Sequence, residues 1–335
     1  MYQELLGKTV LVTGGAGFIG SNLAERLLLE NAKVVVVDNL STGTRDNIAH
    51  LLETSAKKEN ILFIEADAND PEAMRNIFLK HQIDYVFHYA AFVGVRNVIE
   101  RPLEVFRDIE GIKAILALSK EFGIKKVVFA SSSEAYGEPT EMPERENGQH
   151  NVNPDDPYGL TKLVGENMMK NYWKHHGLPT TSLRFFNVYG PRQNASAYGF
   201  VVGIFMKKML AGEPIAIFGD GKQTRDFVYV DDNIEAGIRA LLSTKTNGET
   251  INVGSGGETT ILELAEQVAS AAGVKHFTPT FLPVREVEIR YRSPDVAKMR
   301  ALLGFVPETS LCDGLRKTYQ WFNTVGRARP DIFAS

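Results

Sequence analysis

One cysteine in 335 residues, Cys312, leaves no disulfide framework and no thiolate metal site. No apolar run reaches the roughly 18 residues that a membrane-spanning helix needs. The opening MYQELLGK lacks the basic-then-apolar pattern of a secretory leader, so the default expectation is a cytoplasmic protein. Excess charge is also scarce: the net charge is −4, with no basic footprint for nucleic acid. There is no internal repeat and no low-complexity tract. The seven histidines make no HExxH or other ligand spacing, so no metal is expected. What is present is a soluble globular composition, 44% hydrophobic and 23% charged, long enough for one large core or two domains.

The richest stretch is Lys8 to Asp38, KTVLVTGGAGFIGSNLAERLLLENAKVVVVD. A short apolar strand, Val10–Val12, runs into Gly14, Gly17 and Gly20 at three-residue intervals. An amphipathic helix follows from about Phe18, with Ile19 in its first turn, and a second strand ends on Asp38. Each part suits a dinucleotide. Gly14 permits a tight turn, Gly17 lets backbone amides approach a pyrophosphate, and Gly20 lets helix and strand pack closely. The helix N-terminus offers unpaired N–H groups and the positive end of its dipole. Asp38 can accept from both adenosine ribose hydroxyls, and its charge repels a 2′-phosphate, which favours NAD over NADP. The strand, helix and acid in register raise the glycine triplet above a generic turn.

Strand-like runs (Val10–Val12, Val34–Val37, Ile61–Glu65, Tyr85–His88, Val127–Ala130, Thr181–Phe185) alternate with helical patterns near 18–30, 71–80, 103–122 and 158–176. Nearly continuous apolar strands in βα units predict an α/β fold, a doubly wound, Rossmann-type parallel sheet covered on both faces. Beyond residue 187 the loops lengthen and carry aromatics and arginines. Thr250–Val253 reads as a strand returning to the main sheet, while Ile261–Ala272 and Leu311–Phe322 read as helices of a smaller mixed α/β lobe. The expected organisation is residues 1–187 for the dinucleotide, with a returning segment near 228–255, interleaved with a substrate lobe over 188–335.

Such sheets bind ligands beyond the carboxyl ends of their strands. After the second strand, Asp38, Asn39, Ser41, Thr42 and Gly43 form a polar turn suited to the adenosine. After the third, Asp67 precedes Ala68; it reads equally as an acceptor for the adenine amino group and as a loop acid or helix cap. After the fourth, Ala90 and Ala91 let the backbone pass beside a cofactor, and His88 reads as a packed strand histidine. After the fifth comes Ser131-Ser132-Ser133-Glu134, and a helical pattern then opens on Tyr158-Gly159-Leu160-Thr161-Lys162. Residues four apart share a helix face, about 6 Å apart along the axis. Lys162 can thus stand by the Tyr158 phenol and lower its pKa from about 10 toward neutrality. A bound nicotinamide cation pushes the same way. Tyr158 becomes a general base, and Ser132 can bond the same substrate oxygen.

With these motifs the chain resembles the extended short-chain dehydrogenase/reductases that modify nucleotide sugars. The carriers are GGAGFIG, the serine run before Tyr136-Gly137, Tyr158…Lys162, Phe186-Asn187-Val188-Tyr189-Gly190-Pro191-Arg192, and Gln223 through Asp232. The overall likeness is to UDP-glucose/UDP-galactose 4-epimerases and their N-acetylhexosamine relatives. The resemblance implies an NAD-dependent enzyme that epimerises C4 of a UDP-sugar through a transient 4-keto intermediate, with resident NAD. It implies Ser132, Tyr158, Lys162 and Glu134 as the catalytic group. It further implies Ser132, Ser133, Asn187, Arg225, Arg285, Glu288 and Arg292 at the nucleotide sugar. Phe218 is either a platform for the base or a core residue. It also implies a homodimer built on helices near 103–122 and 158–176, whose apolar sides are Val105, Ile109, Ile112, Leu116 and Leu163, Met168, Met169, Tyr172. Those residues read equally as facing the sheet.

Three departures from the epimerase pattern stand out. Ser133-Glu134 resembles UDP-glucuronate decarboxylases, and Ser133 argues against 4,6-dehydration, which needs an Asp there. Arg292 resembles the Arg-x-Pro-Asp of the decarboxylases. Asp108 stands where the family usually has Asn. A UDP-glucuronate decarboxylase forming UDP-xylose is therefore the alternative. A 4-epimerase acting on a uronate, with Arg292 against the C6 carboxylate, is a further one. A non-catalytic NAD-binding scaffold is more remote, since a scaffold has no use for the Ser132–Tyr158–Lys162 group.

Overall fold

The computed structural model describes residues 2–53, 56–94, 98, 100–195, 200–284, 289–329 and 332. In chain order the first half contains β1 (Thr9–Thr13), α1 (Phe18–Leu29), β2 (Lys33–Asp38), α2 (Ala49–Glu53), β3 (Ile61–Glu65), α3 (Pro71–Lys80), β4 (Tyr85–His88), α4 (Pro102–Phe106), α5 (Asp108–Glu121), β5 (Lys126–Ser132), α6 (Pro157–His176) and β6 (Thr180–Phe185). The second half contains β7 (Asn187–Tyr189), α7 (Val201–Ala211), β8 (Ala216–Phe218), β9 (Thr224–Arg225), β10 (Phe227–Tyr229), α8 (Val230–Leu242), β11 (Glu249–Val253), β12 (Thr259–Thr260), α9 (Ile261–Ala271), β13 (Thr280–Leu282), β14 (Tyr291–Arg292), α10 (Ala297–Leu303) and α11 (Leu311–Thr324).

Seven strands form one sheet in the order β11-β6-β5-β4-β1-β2-β3, and every neighbouring pair is parallel. The chain's expected Rossmann-type α/β class is therefore the one it adopts, and the late strand over 249–253 closes the sheet beside β6. The strands read as unbroken apolar runs because both faces are covered. Val10, Val12, Val34 and Val36 enter one core with α1 and α8; Leu11, Val35 and Val37 enter the other with α3, α5 and α6. Successive side chains alternate across a strand, so a valine at each position fills both cores. Each fully buried one stabilises the fold by about 1.5–3 kcal/mol.

The helical stretch expected over 103–122 is two helices. At Arg107 the pattern shifts to i→i−3 bonds (Arg107 N to Glu104 O, Glu110 N to Arg107 O), and Asp108 begins α5 with its side chain turned inward. Beyond β6, small sheets pair β10 with β7, β12 and β14 with β9, and β13 with β8. The late segments thus fold against one another around the mouth of the large sheet's carboxyl end.

Candidate active site

The sheet order reverses between β1 and β4, where Thr13 Oγ1 and His88 Nδ1 lie 2.8 Å apart. His88 is fully buried, and burial followed by the charge of Lys162 pulls its pKa down to about 3, so it is a neutral packed histidine. The glycine turn begins here. Gly14 has φ 69°, and a Cβ on it would meet the Ala90 nitrogen at 2.7 Å. A Cβ on Gly20 would collide with the Gly14 carbonyl oxygen. Gly17 is the N-cap of α1 without a side-chain cap, so the first amides of the helix are left for another acceptor. Gly14, Gly17, Phe18 and Ile19 keep partial exposure while Gly15, Ala16 and Gly20 are buried. Only a turn without side chains can bring backbone amides this close to the sheet, and a pyrophosphate fits that cradle.

Asp38 lies at the end of β2, 8% exposed. Its Oδ2 accepts from Ala16 N at 2.9 Å and its Oδ1 from Leu40 N at 2.8 Å. The carboxylate therefore braces the glycine turn. Burial raises its pKa, and the amides of Leu40, Ala16 and Gly17 oppose that shift. Asn39 Oδ1 accepts from Ser41 N at 3.0 Å, Ser41 and Thr42 are exposed, and Gly43 packs against the backbone of Ala16. Asp67 Oδ1 accepts from Asn69 N at 2.9 Å, and its other oxygen stands 3.5 Å from Arg107. The cap of α3 is Asp70, so the helix-cap reading of Asp67 fails. Ala68 is buried; Ala90 and Ala91 are half-buried, with Ala90 N donating to Thr13 Oγ1 at 3.2 Å.

Ser132 ends β5 and Tyr158 opens α6. Asp156 caps that helix, its Oδ1 accepting from Tyr158 N and Gly159 N, both at 3.1 Å. Ser132 lies close enough to the Tyr158 phenol to favour its ionised form. A Cβ on Gly165 would lie 2.6 Å from the Phe129 ring, so a glycine is what lets α6 lie directly on β5. Lys162, 3% exposed, donates to Ala130 O at 2.8 Å and stands 5.3 Å from the centre of the Tyr158 ring. Serine, tyrosine and lysine thus converge at one strand end.

The electrostatics differ from the sequence expectation. Tyr158 is held well above the ordinary tyrosine value, first by burial and then by the charges of Glu134, Asp108 and Asp156, with Ser132 opposing. Lys162 is not among the groups that lower it. Its own ammonium is pulled down to about 8 by burial, against the charges of Asp108 and Glu166. The protein alone keeps the phenol protonated.

Behind this group lies a buried network that the sequence reading did not pick out. Glu166, one turn beyond Lys162, accepts from Ser131 Oγ at 2.5 Å and from Arg184 Nε and Nη2 at 2.8 and 2.6 Å. It joins the strand carrying Ser132 to the helix carrying Tyr158. The i+4 spacing from Lys162 was the available signal. Asp108 similarly receives Asn69 Nδ2 at 3.1 Å and Phe92 N at 2.8 Å.

On the late-chain side, Arg225 and Arg292 are register partners on β9 and β14. Arg292 is 2% exposed, pairs with Glu134 Oε1 at 2.7 Å, and donates to Gly137 O at 2.5 Å. Asn187 Nδ2 donates to Asp226 O at 2.8 Å, beside Arg225. Ser133 is buried in the 3-10 turn Ser133–Tyr136. Phe218 is half-buried on β8, a separate small sheet. Arg285 and Glu288 lie outside the described residues. Among the described residues, no three His, Cys, Asp or Glu side chains are arranged to hold a metal ion.

A glycine-cradled helix N-terminus, an acid at the end of the second strand and a Ser–Tyr–Lys group at a nearby strand end define a dinucleotide-dependent enzyme of the short-chain dehydrogenase/reductase class. The chain belongs to the NAD dependent epimerase/dehydratase family, whose model matches residues 10–254. It is 37% identical over 314 residues to a UDP-glucose 4-epimerase of Mycolicibacterium smegmatis, covering 93% of this chain and 97% of that one. It is 36% identical over 333 residues to a UDP-N-acetyl-alpha-D-glucosaminuronate decarboxylase of Bacillus cytotoxicus, covering 95% and 98%. The crystal structure of UDP-glucose 4-epimerase with UDP-glucose from Thermotoga maritima superposes with a TM-score of 0.87 at 36% identity, covering 95% and 99%.

Proposed function

We propose that the protein is an NAD-dependent 4-epimerase of a UDP-sugar. The observation that carries this reading is the Ser132–Tyr158–Lys162 group standing beyond the same strand ends as the Gly14–Gly17–Gly20 cradle. Gly14, Gly17, Phe18, Ile19, Gly20, Asp38, Asn39, Ser41, Thr42, Gly43, Asp67, Ala68, Ala90 and Ala91 hold the dinucleotide, with Tyr158 and Lys162 at its nicotinamide end. Bound NAD supplies a reversible hydride acceptor for C4 and a positive ring that favours the Tyr158 phenolate. Tyr158 takes the proton of the 4-hydroxyl and later returns it. Ser132 holds the same oxygen, and Lys162, fixed on Ala130 O, orients the cofactor side. The cleft would have to let the 4-keto sugar turn over before the epimer leaves. Arg225, with Asn187 beside it, faces the diphosphate; a guanidinium fork suits bidentate phosphate contacts.

Residues 1–187 with the returning segment near 228–255 form the NAD domain, and the rest of 188–335 the sugar-nucleotide lobe. The protein works in the cytoplasm as a homodimer. Of the apolar residues expected at that interface, Val105, Ile112, Leu116 and Met169 are buried within the subunit, while Ile109, Leu163, Met168 and Tyr172 are half-buried. Leu103, Phe106, Val164 and Trp173 are exposed apolar groups on the same helices, 78%, 38%, 39% and 37% exposed, and they support the dimer.

A second reading is decarboxylation of a UDP-uronate. The pair of the buried Arg292 with the half-exposed Glu134 favours it, as does the likeness to a uronate decarboxylase. The experiment that decides is an NMR screen of UDP-hexoses, UDP-N-acetylhexosamines and UDP-uronates, with the dinucleotide released by denaturation identified in parallel. A C4 epimer without added NAD supports the proposal. UDP-xylose from UDP-glucuronate supports the second reading, and no turnover of any sugar defeats both.

A further inference from the structure

Glu144 sits in the loop between β5 and α6, in a run, Met142-Pro143-Glu144-Arg145-Glu146, that reads as a solvated charged segment. The fold buries it instead, to 2% exposure. Its backbone is pinned on both sides: Glu144 N donates to Ser293 O at 2.8 Å, and Glu144 O accepts from Asp295 N at 2.8 Å and from Asn252 Nδ2 at 2.9 Å. The side chain is thereby carried to Arg292, with Oε1 4.0 Å from Nε. Neither Glu144 oxygen, nor Arg292 Nε, has a hydrogen-bond partner among the described residues. Unpartnered groups this deeply buried are costly in a fold unless they serve a purpose.

Arg292 is therefore flanked by two carboxylates, Glu134 at 2.7 Å and Glu144 at 4.0 Å. With all three groups ionised the cluster carries one net negative charge. Glu134 is the second residue after Ser132, whose Oγ accepts from Glu134 N at 3.2 Å, so this cluster borders the catalytic group. A sugar carboxylate brought to Arg292 would be the third acid around a single guanidinium. A hydroxymethyl group there meets no such repulsion. Like charges brought together in a buried site repel strongly, which is how charged surfaces reject wrong partners.

We propose that Glu144 is a specificity-determining residue: it competes with a substrate carboxylate for Arg292, so the enzyme prefers UDP-sugars with an uncharged C6 group. The inference rests on the reading of the cleft as a UDP-sugar site. It also makes uronate binding proton-linked, because a uronate is accommodated once Glu144 is protonated. Burial, against the charges of Arg292, Arg184 and Arg225 and with that of Glu134, raises the Glu144 carboxyl to about 7. Other titratable groups beside these are Asp156, which interacts with Glu134 and Arg292, Glu146, whose Oε1 accepts from Asn252 N at 2.9 Å, and His150, whose Nε2 lies 3.3 Å from Arg184 Nη2.

The test is calorimetric binding of UDP-glucose and UDP-glucuronate to the NAD-loaded full chain, wild type, Glu144→Gln and His150→Gln, from pH 6 to pH 8. For wild type, the preference for UDP-glucose over UDP-glucuronate should grow as pH rises through this range, and His150→Gln should keep that slope. Glu144→Gln should abolish the slope and improve UDP-glucuronate binding relative to UDP-glucose by about tenfold or more at pH 8. A wild-type preference that does not change with pH, or a slope lost in His150→Gln, overturns the proposal even if Glu144→Gln does not fold. An unchanged ratio in a folded Glu144→Gln does the same. Intact binding of UDP-glucose without epimerisation would sink the epimerase reading alone.

Discussion

Lys162 Nζ stands 5.3 Å from the centre of the Tyr158 ring and gives a hydrogen bond to Ala130 O at 2.8 Å. The lysine's bond goes to the strand, and acids govern the charge at the phenol. Glu134, Asp108 and Asp156 all raise its pKa, after burial. Asp108 is the most informative of these, because it is buried, bonded to Asn69 and Phe92, and remote in sequence from Tyr158.

Asp108→Asn should therefore shift the ascending limb of the pH–kcat/KM profile to lower pH, because a carboxylate that opposes phenol ionisation is lost. The shift should be up to about one pH unit. Asparagine can still accept from Phe92 N, so the fold should hold. A pH–rate profile on a UDP-hexose checks it, and an unmoved limb contradicts it.

Glu166→Ala should be severe. It leaves the Arg184 guanidinium buried with its main partner gone and unties Ser131 from α6. Breaking one side of a buried pair costs about 3–5 kcal/mol. Urea denaturation measures it; a loss below about 1 kcal/mol, the range of exposed pairs, would show that the network carries little.

Cofactor retention should depend on the brace at the glycine turn. Asp38→Ala removes the acceptor for Ala16 N and Leu40 N and, on the proposed reading, the acceptor for the ribose hydroxyls. The purified variant should hold much less dinucleotide than wild type and discriminate less against NADP. The absorbance of dinucleotide released on denaturation reads this directly, and equal occupancy in the two proteins would contradict it.

Much of this architecture was legible in the chain. The parallel strands announced themselves because a strand covered on both faces must be apolar at every position, and Val34–Val37 leaves no other interpretation. The glycine cradle was legible because a Cβ at Gly14 or Gly20 has nowhere to go. Tyr158 and Lys162 were legible because helix spacing fixes their common face. Glu144 and Arg184 were not, since their roles arise from contacts between distant segments. A glutamate in a charged loop looks solvated until Ser293 and Asn252 close around it. The rise of the Tyr158 pKa in the protein alone was not legible either: it comes first from burial and then from carboxylates at Glu134, Asp108 and Asp156.

Lys126 gives a stability signature independent of catalysis. It is 3% exposed at the start of β5 and donates to Ser243 O at 2.7 Å and Thr246 Oγ1 at 2.6 Å. Burial pulls its ammonium down to about 7, against an unfolded value of about 10.4. Between those values the unfolded chain binds more protons, so this group's contribution to stability rises with pH across about 7 to 10. Lys126→Met should show a flatter rise than wild type in urea titrations over that window; parallel curves would contradict the assignment.

The central claim is hydride removal and return at C4 on a resident cofactor. The most direct measurement is NMR of a UDP-glucose deuterated at C4, incubated with purified protein and no added dinucleotide. The account predicts UDP-galactose that keeps its deuterium at C4, with Tyr158→Phe slower by about 100-fold or more. Product that has lost the label to solvent, or turnover unaffected by Tyr158→Phe, would contradict it.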